Sequence, residues 1–251
     1  GGLVALCSAL LGVSLVLKRY SMIGDGLSHV AFAALTIAVA MNVAPLYIST
    51  PIVTVAAIIL LRLSENSKIK GDSAIALIST VSIAIGVVVT ALTKGMNTDV
   101  YSYMFGSILA MSESDVYMSI ALSVVVIILF VFFYNKIFAV AFDESFAKAT
   151  GTRADAYNMI IAVLTAITIV VGMRIMGTML ISSLIIFPAL ISMRNFKTFK
   201  SVIICSAIVS VVCFLLGIIL SYLYSIPTGA SIVLVNTVAL ILSYLIGELR
   251  H

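Results

Sequence analysis

The stretch Lys18-Arg19-Tyr20-Ser21-Met22-Ile23-Gly24-Asp25-Gly26-Leu27-Ser28-His29-Val30-Ala31 decides how this chain is read. Two positive charges close one apolar run, and an acid and an imidazole pass straight into the next. Asp25 and His29 are four apart, so on a helix they stand one above the other on one face. If that helix starts near Ser21 at a membrane boundary, His29 lies roughly 12 Å deep, near the middle of an apolar core about 30 Å thick. Ionisable groups at that depth are costly, so they face a polar cavity or a partner and mark an ion or proton path.

Composition supports a membrane setting. Of 251 residues, 63% are hydrophobic and only 10% are charged, with a mean hydropathy of +1.27. A soluble domain of this size needs about 25% charged residues to cover its surface. The expected fold is therefore all-α, a polytopic transmembrane helical bundle forming a single domain over 1–251. Gly1 already lies in an apolar run, so a short N-terminal piece is expected to precede it. That run ends in Lys18-Arg19 rather than in a small-residue cleavage site, which argues against a signal peptide. The net charge of +4 is a matter of loop placement; no basic cluster interleaved with aromatics points to nucleic acid. Cys7, Cys205 and Cys213 all sit in apolar runs and read as small buried hydrophobes.

A window of about 19 residues predicts nine spans, at 1–17, 25–43, 46–63, 73–93, 116–135, 157–173, 175–193, 201–224 and 228–245. Eight remain if one is not a full crossing. Residues 101–111 are too few to cross as a helix and are expected to form a re-entrant or interfacial segment on the outer side. Glu113 and Asp115 follow it and read first as a solvated rim. With Lys18 and Arg19 placed inside, twelve of the 14 Lys and Arg fall on that side, leaving only Lys94 and Arg174 outside. The C-terminus is then inside, and the chain belongs in the cell membrane.

The longest inner connection, on the cytoplasmic side, includes residues 137–156. Residues 142–151 look like a short helix that Asp143 caps and Gly151 stops in the left-handed conformation. Phe142 and Phe146 are expected to share one apolar face of it. The plain reading is an amphipathic helix resting on the bilayer; the functional one is a knob offered to a cytoplasmic partner. No Walker or Rossmann glycine pattern occurs, so the chain is not expected to hydrolyse ATP and reads as no enzyme; if it transports actively, the energy comes from another polypeptide or from an ion gradient.

The basic pair followed by Gly24-Asp25, then Ser28-His29, resembles the motif of the permease subunit of zinc/manganese ABC importers. Tyr103-Met104-Phe105-Gly106-Ser107-Ile108-Leu109-Ala110 resembles that family's tyrosine-leucine-phenylalanine-glycine segment. Gly177-Thr178-Met179-Leu180-Ile181-Ser182-Ser183-Leu184-Ile185-Ile186-Phe187-Pro188-Ala189 resembles its glycine-to-proline helix, although Leu190 stands where many members have another small residue. Pro227-Thr228-Gly229-Ala230-Ser231-Ile232-Val233-Leu234 resembles its last outer turn and helix start. The four stretches occur in the family's order and cover nearly the whole chain.

The resemblance implies a homodimer around a central pathway, a cytoplasmic ABC ATPase dimer, and an extracellular or periplasmic metal-binding protein. It assigns metal passage to Asp25 and His29. It assigns ATPase coupling to the segment holding Phe142, Asp143, Glu144, Phe146 and Gly151.

One Asp and one His are two ligands, and zinc takes four. A two-fold axis through the pathway would bring both pairs together; water completing the shell is the alternative. The plain reading of His29 is a buried neutral imidazole bonded to a carbonyl or to Asp25. Gly24 and Gly26 serve close helix packing or gating, as does Pro188. No cofactor is expected to stay bound; the metal is cargo, with zinc favoured over manganese on general affinity order. Alternatives are a manganese or iron importer of the same family, or a proton-coupled carrier using Asp25 and His29 as a relay. An intramembrane metalloenzyme would need a His-Glu-x-x-His cluster, which the chain lacks.

Overall fold

The structure is a computed structural model and describes residues 1–66, 71–93, 106, 113–178 and 181–249. All regular structure among them is α-helical: α1 (Gly2–Leu17), α2 (Ser21–Ala40), α3 (Pro45–Asn66), α4 (Gly71–Leu92), α5 (Glu113–Phe132), α6 (Tyr134–Phe142), α7 (Glu144–Ala149), α8 (Ala154–Met176), α9 (Ile181–Asn195), α10 (Phe199–Tyr224) and α11 (Thr228–Leu249). The expected re-entrant segment at 101–111 lies outside the described residues except for Gly106.

Among the described residues, seven helices are long and apolar enough to cross a membrane: α2, α3, α4, α5, α8, α10 and α11. Helices α1 and α9 are apolar but shorter, with 16 and 15 residues. The nine expected spans thus map onto seven full-length helices and two short ones. The division between the sixth and seventh spans is corrected. Helix α8 runs on to Met176, and the chain turns at Gly177, whose φ is +85°. The sequence places the break at the charged Arg174, which lies inside the last turn of α8, three residues before the turn. A left-handed φ favours glycine because a Cβ would crowd the following carbonyl.

Helix α1 lies at the centre, packed against α10, α9, α8, α5 and α6. In lipid there is no hydrophobic drive between apolar helices, so close packing and interhelical hydrogen bonds hold them. Both operate here. A Cβ at Gly12 would overlap the Ile185 carbonyl of α9 at 2.0 Å, so backbone meets backbone at that crossing. On the other side, Ser210 Oγ donates to the Ala5 carbonyl at 2.8 Å.

Helix α2 packs against α3, α4 and α9. The two are used differently: 72% of the apolar window of α2 is buried, against 17% of that of α4. Helices α4 and α5 therefore present apolar side chains such as Leu77, Val88, Ile128 and Phe132 outward, as a lipid-facing wall does.

Candidate functional site

Helix α2 starts at Ser21, as the sequence predicts, and puts Asp25 in its second turn and His29 in its third. Ile23, Leu27, Val30 and Ala31 anchor the helix in the core. The opposite stripe, Ser21, Met22, Asp25 and His29, stays partly open. The Asp25 side chain is 39% exposed and that of His29 16%. An open carboxylate in the interior of a membrane helix does not face lipid; it requires water or a second protein surface.

His29 Nε2 stands 3.6 Å from Asp25 Oδ2. That is beyond a hydrogen bond. Two ligands of one tetrahedral ion at about 2.1 Å stand about 3.4 Å apart, so this spacing suits a shared cation. Ser182 Oγ of α9 donates to Asp25 Oδ1 at 3.4 Å and steadies the carboxylate from the side. Ser28 Oγ donates to the Asp25 carbonyl at 2.7 Å and stays out of the site. No group of three or more His, Cys, Asp or Glu that could hold a metal occurs among the described residues. One chain thus offers Asp25 and His29 and an open face beside them.

The flanking glycines set how near the neighbouring helices come. A Cβ at Gly26 would stand 2.8 Å from Ile75 Cγ2 on α4, and one at Gly24 3.2 Å from Ile185 Cδ1 on α9. Both glycines therefore serve close approach on either side of Asp25. Pro188 is buried within α9, and its carbonyl accepts from Ser192 Oγ at 2.7 Å.

Away from α2 lies the short helix α7. Asp143 caps it, its carboxylate accepting from the Phe146 amide at 2.9 Å, and Gly151 follows the helix with φ +80°. Both expectations hold. The shared aromatic face does not. Asp143 is extended, with φ −148° and ψ 98°, so Phe142 ends α6 while Phe146 belongs to α7. Both rings remain exposed, at 75% and 66%. Beside Phe142 a cavity of about 640 Å³ is lined by Leu17, Phe138, Met193 and Phe199 among others.

Glu144 points the other way. Its Oε2 accepts from Lys18 Nζ at 3.0 Å and from Asn158 Nδ2 at 3.1 Å, while Oε1 pairs with Lys148 at 3.0 Å. Lys18 also donates to Asn158 Oδ1. Lys148 continues to Asp155 at 2.9 Å. Burial works to raise the Glu144 carboxyl, but the hydrogen bonds from Lys18, Asn158 and Lys148 and the Lys18 charge outweigh it and bring it down to about 2. Hydrogen bonding to Asp155, then to Glu144, holds the Lys148 ammonium above its ordinary range. The sequence offered no sign that Lys18 and Glu144 meet, because 126 residues separate them.

A further correction concerns Asp115. Glu113 is exposed, as a rim residue is. Asp115 is buried and accepts from Arg174 Nη2 of α8, whose side chain is 5% exposed. Nearby, Gly106 has φ +79°, and a Cβ on it would stand 2.3 Å from the Met176 carbonyl carbon.

The sequence pattern of the ABC 3 transport family fits residues 1–247. The manganese import system permease protein ScaB of Streptococcus gordonii is 25% identical over 244 residues, 97% of this chain and 87% of that protein. The high-affinity zinc uptake system membrane protein ZnuB of Haemophilus influenzae is 29% identical over 245 residues, 97% of this chain and 93% of that protein. The solved structure of PsaBC from Streptococcus pneumoniae in complex with Fab is similar in fold, with a TM-score of 0.87 and 27% identity, covering 97% of this chain and 87% of that one.

Proposed function

Because the chain belongs to the ABC 3 transport family, we propose that it is the membrane-spanning subunit of an ATP-driven importer of a divalent transition metal, with zinc as the favoured cargo. The carrying observation is the Asp25–His29 pair, two ligand atoms 3.6 Å apart on a polar stripe that one chain leaves open. A second copy of the chain, related by a two-fold axis, supplies the other two ligands and closes the stripe from lipid. The two pairs hold the metal loosely enough to release it, because an ion that must leave is not held as in a structural site.

In this reading α1 and α9 also cross, giving eight or nine spans, with the C-terminus in the cytoplasm. The residues over 1–251 form one permease domain. Residues 137–156 are its cytoplasmic coupling segment. Phe142 and Phe146 are the outward contacts for an ABC ATPase dimer, held in place by the Asp143 cap and the Gly151 stop. A metal-binding protein delivers the ion from outside. Gly24, Gly26 and Pro188 fix the helix approaches on which opening and closing depend.

Manganese is the second reading, favoured by the likeness to a permease named for manganese import. An Asp and His shell accepts both ions, and general affinity order puts zinc ahead. The proton-relay alternative draws no support from the family.

The test is uptake of radioactive zinc and manganese by vesicles holding the permease, its ATPase and its binding protein. His29→Ala is expected to reduce ATP-dependent uptake to that of empty vesicles while the complex still assembles. Wild-type uptake by His29→Ala at limiting metal removes the pair from the pathway.

A further inference from the structure

We infer that the Lys18–Glu144 bond is the link through which movement of α7 reaches the metal-bearing helix α2. This deepens the reading above and rests on α7 being the ATPase dock.

Helix α7 is six residues long, capped by Asp143 and stopped at Gly151, so it moves as one piece. Its outward groups are Phe142 before it and Phe146 within it. It packs on α6 and α8. What extends beyond these two helices is the Glu144 carboxylate, bonded to Lys18 at 3.0 Å.

Lys18 is no loose surface lysine, since its side chain is 7% exposed. Its own backbone is the C-cap of α1, with the amide bonded to the Ser14 carbonyl. Only Arg19 and Tyr20 separate it from α2. Arg19 holds φ +61°, the Tyr20 amide bonds Leu15 at 2.8 Å, and the Ile23 amide bonds Tyr20 at 3.0 Å. This joint leaves little slack. Asp25 lies four residues past the start of α2 at Ser21, about 6 Å along that helix. Displacement of α7 therefore loads the α1–α2 joint directly, and α2 shifts Asp25 and His29 against their counterparts in the second copy.

Glu144 and Lys18 are thus positioning residues that touch no metal. The rival is that the bond merely staples α7 in place for docking. The two differ in the number of ions moved per ATP. Vesicles holding the whole complex would carry wild type, K18M, E144Q and K18M/E144Q. E144Q keeps the size of the side chain and one acceptor oxygen while removing the charge, so it guards against misfolding as an explanation.

The expected result is a fall of about tenfold in zinc moved per ATP hydrolysed for each single variant, with no further fall in the double. ATPase retention on the purified complex stays at the wild-type level. An unchanged ratio, with hydrolysis and uptake falling together, overturns the link in favour of the staple. Independent, multiplying losses in the double overturn it as well. A complex of Phe146→Ala that keeps its ATPase and full activity instead removes α7 as the dock, a failure of the underlying reading that the ratio does not mimic.

Discussion

Two ion pairs, Arg174–Asp115 and Lys18–Glu144, join helices far apart in sequence and differ in what surrounds them. Helix α8 runs between them: Asn158 in its second turn serves the Lys18–Glu144 pair, and Arg174 in its last turn forms the other, about 24 Å along the helix. Arg174 and Asp115 are both largely shut off from solvent, with side chains 5% and 12% exposed. Glu144 is 29% exposed and shares its two oxygens among Lys18, Asn158 and Lys148. Desolvating a pair costs several kcal/mol that its mutual attraction and its hydrogen bonds must offset. Lys18 is as buried, at 7%, but the partly open Glu144 and its several partners divide that cost. The buried end therefore suits a fixed joint between α5 and α8. The shared end suits a contact that changes during a transport cycle.

The largest effect expected from this difference is at the buried end. Arg174→Leu leaves Asp115 without its cation in a dry site, and breaking such a pair costs about 3–5 kcal/mol. Glu144→Gln should cost less, since Lys18 keeps Asn158, Lys148 keeps Asp155 and the Gln oxygen still accepts a hydrogen bond. Thermal unfolding in detergent compares the two. Equal losses would erase the contrast between the ends. Pairing Arg174→Leu with Asp115→Leu should recover most of the loss, because the apolar pair leaves no charge stranded.

Left-handed glycines allow a smaller, matched comparison. Gly106 and Gly151 have nearly the same φ, +79° and +80°. A Cβ on Gly151 meets nothing within 4 Å, whereas one on Gly106 meets the Met176–Gly177 backbone. Gly151→Ala should cost about 1 kcal/mol, for conformation alone. Gly106→Ala should cost up to about 3 kcal/mol, since backbone cannot step aside as a side chain tip does. The same unfolding measurement reads both, and equal costs would remove the close contact at Gly106.

Which of these features sequence reasoning reaches depends on how far apart the interacting groups lie. Hydropathy locates the long helices because each carries its own evidence over about 20 residues. The Asp143 cap and the Gly151 stop are legible because capping involves only neighbours. The Asp25–His29 pairing is legible because one helical turn brings the two together. The rest depends on backbone detail or on distant partners. Phe142 and Phe146 have helical spacing, but the extended Asp143 between them assigns them to different helices. The end of α8 is misplaced by three residues because the charge at Arg174 reads as the boundary, while the helix runs on to Met176 and turns at Gly177. Asp115 reads as a rim residue because its arginine is 59 residues away. Glu144 reads as one more outward coupling contact because its lysine is farther still.

The smallest effect expected is in the response of the shared network to acid, and its sign follows from the Glu144 carboxyl. Its ordinary value is 4.5 and its folded value about 2. A group depressed on folding adds stability that is fully present above the ordinary value and disappears as pH falls through the folded one. Between pH 8 and pH 5 the network should therefore not change. Below about 4.5 it should weaken progressively, the loss ending near pH 2. Lys148, held above its ordinary range, keeps its charge across that whole window. Other carboxyls titrate there too, so the quantity to measure is the difference in unfolding temperature between wild type and Glu144→Gln from pH 7 to pH 3. That difference should be level down to pH 5 and shrink below it, because the variant has no proton to gain at this site. A difference that already shrinks between pH 7 and pH 5 would mean that Lys18 and Asn158 do not hold the carboxylate in solution, and that the inner pair is looser than its distances imply.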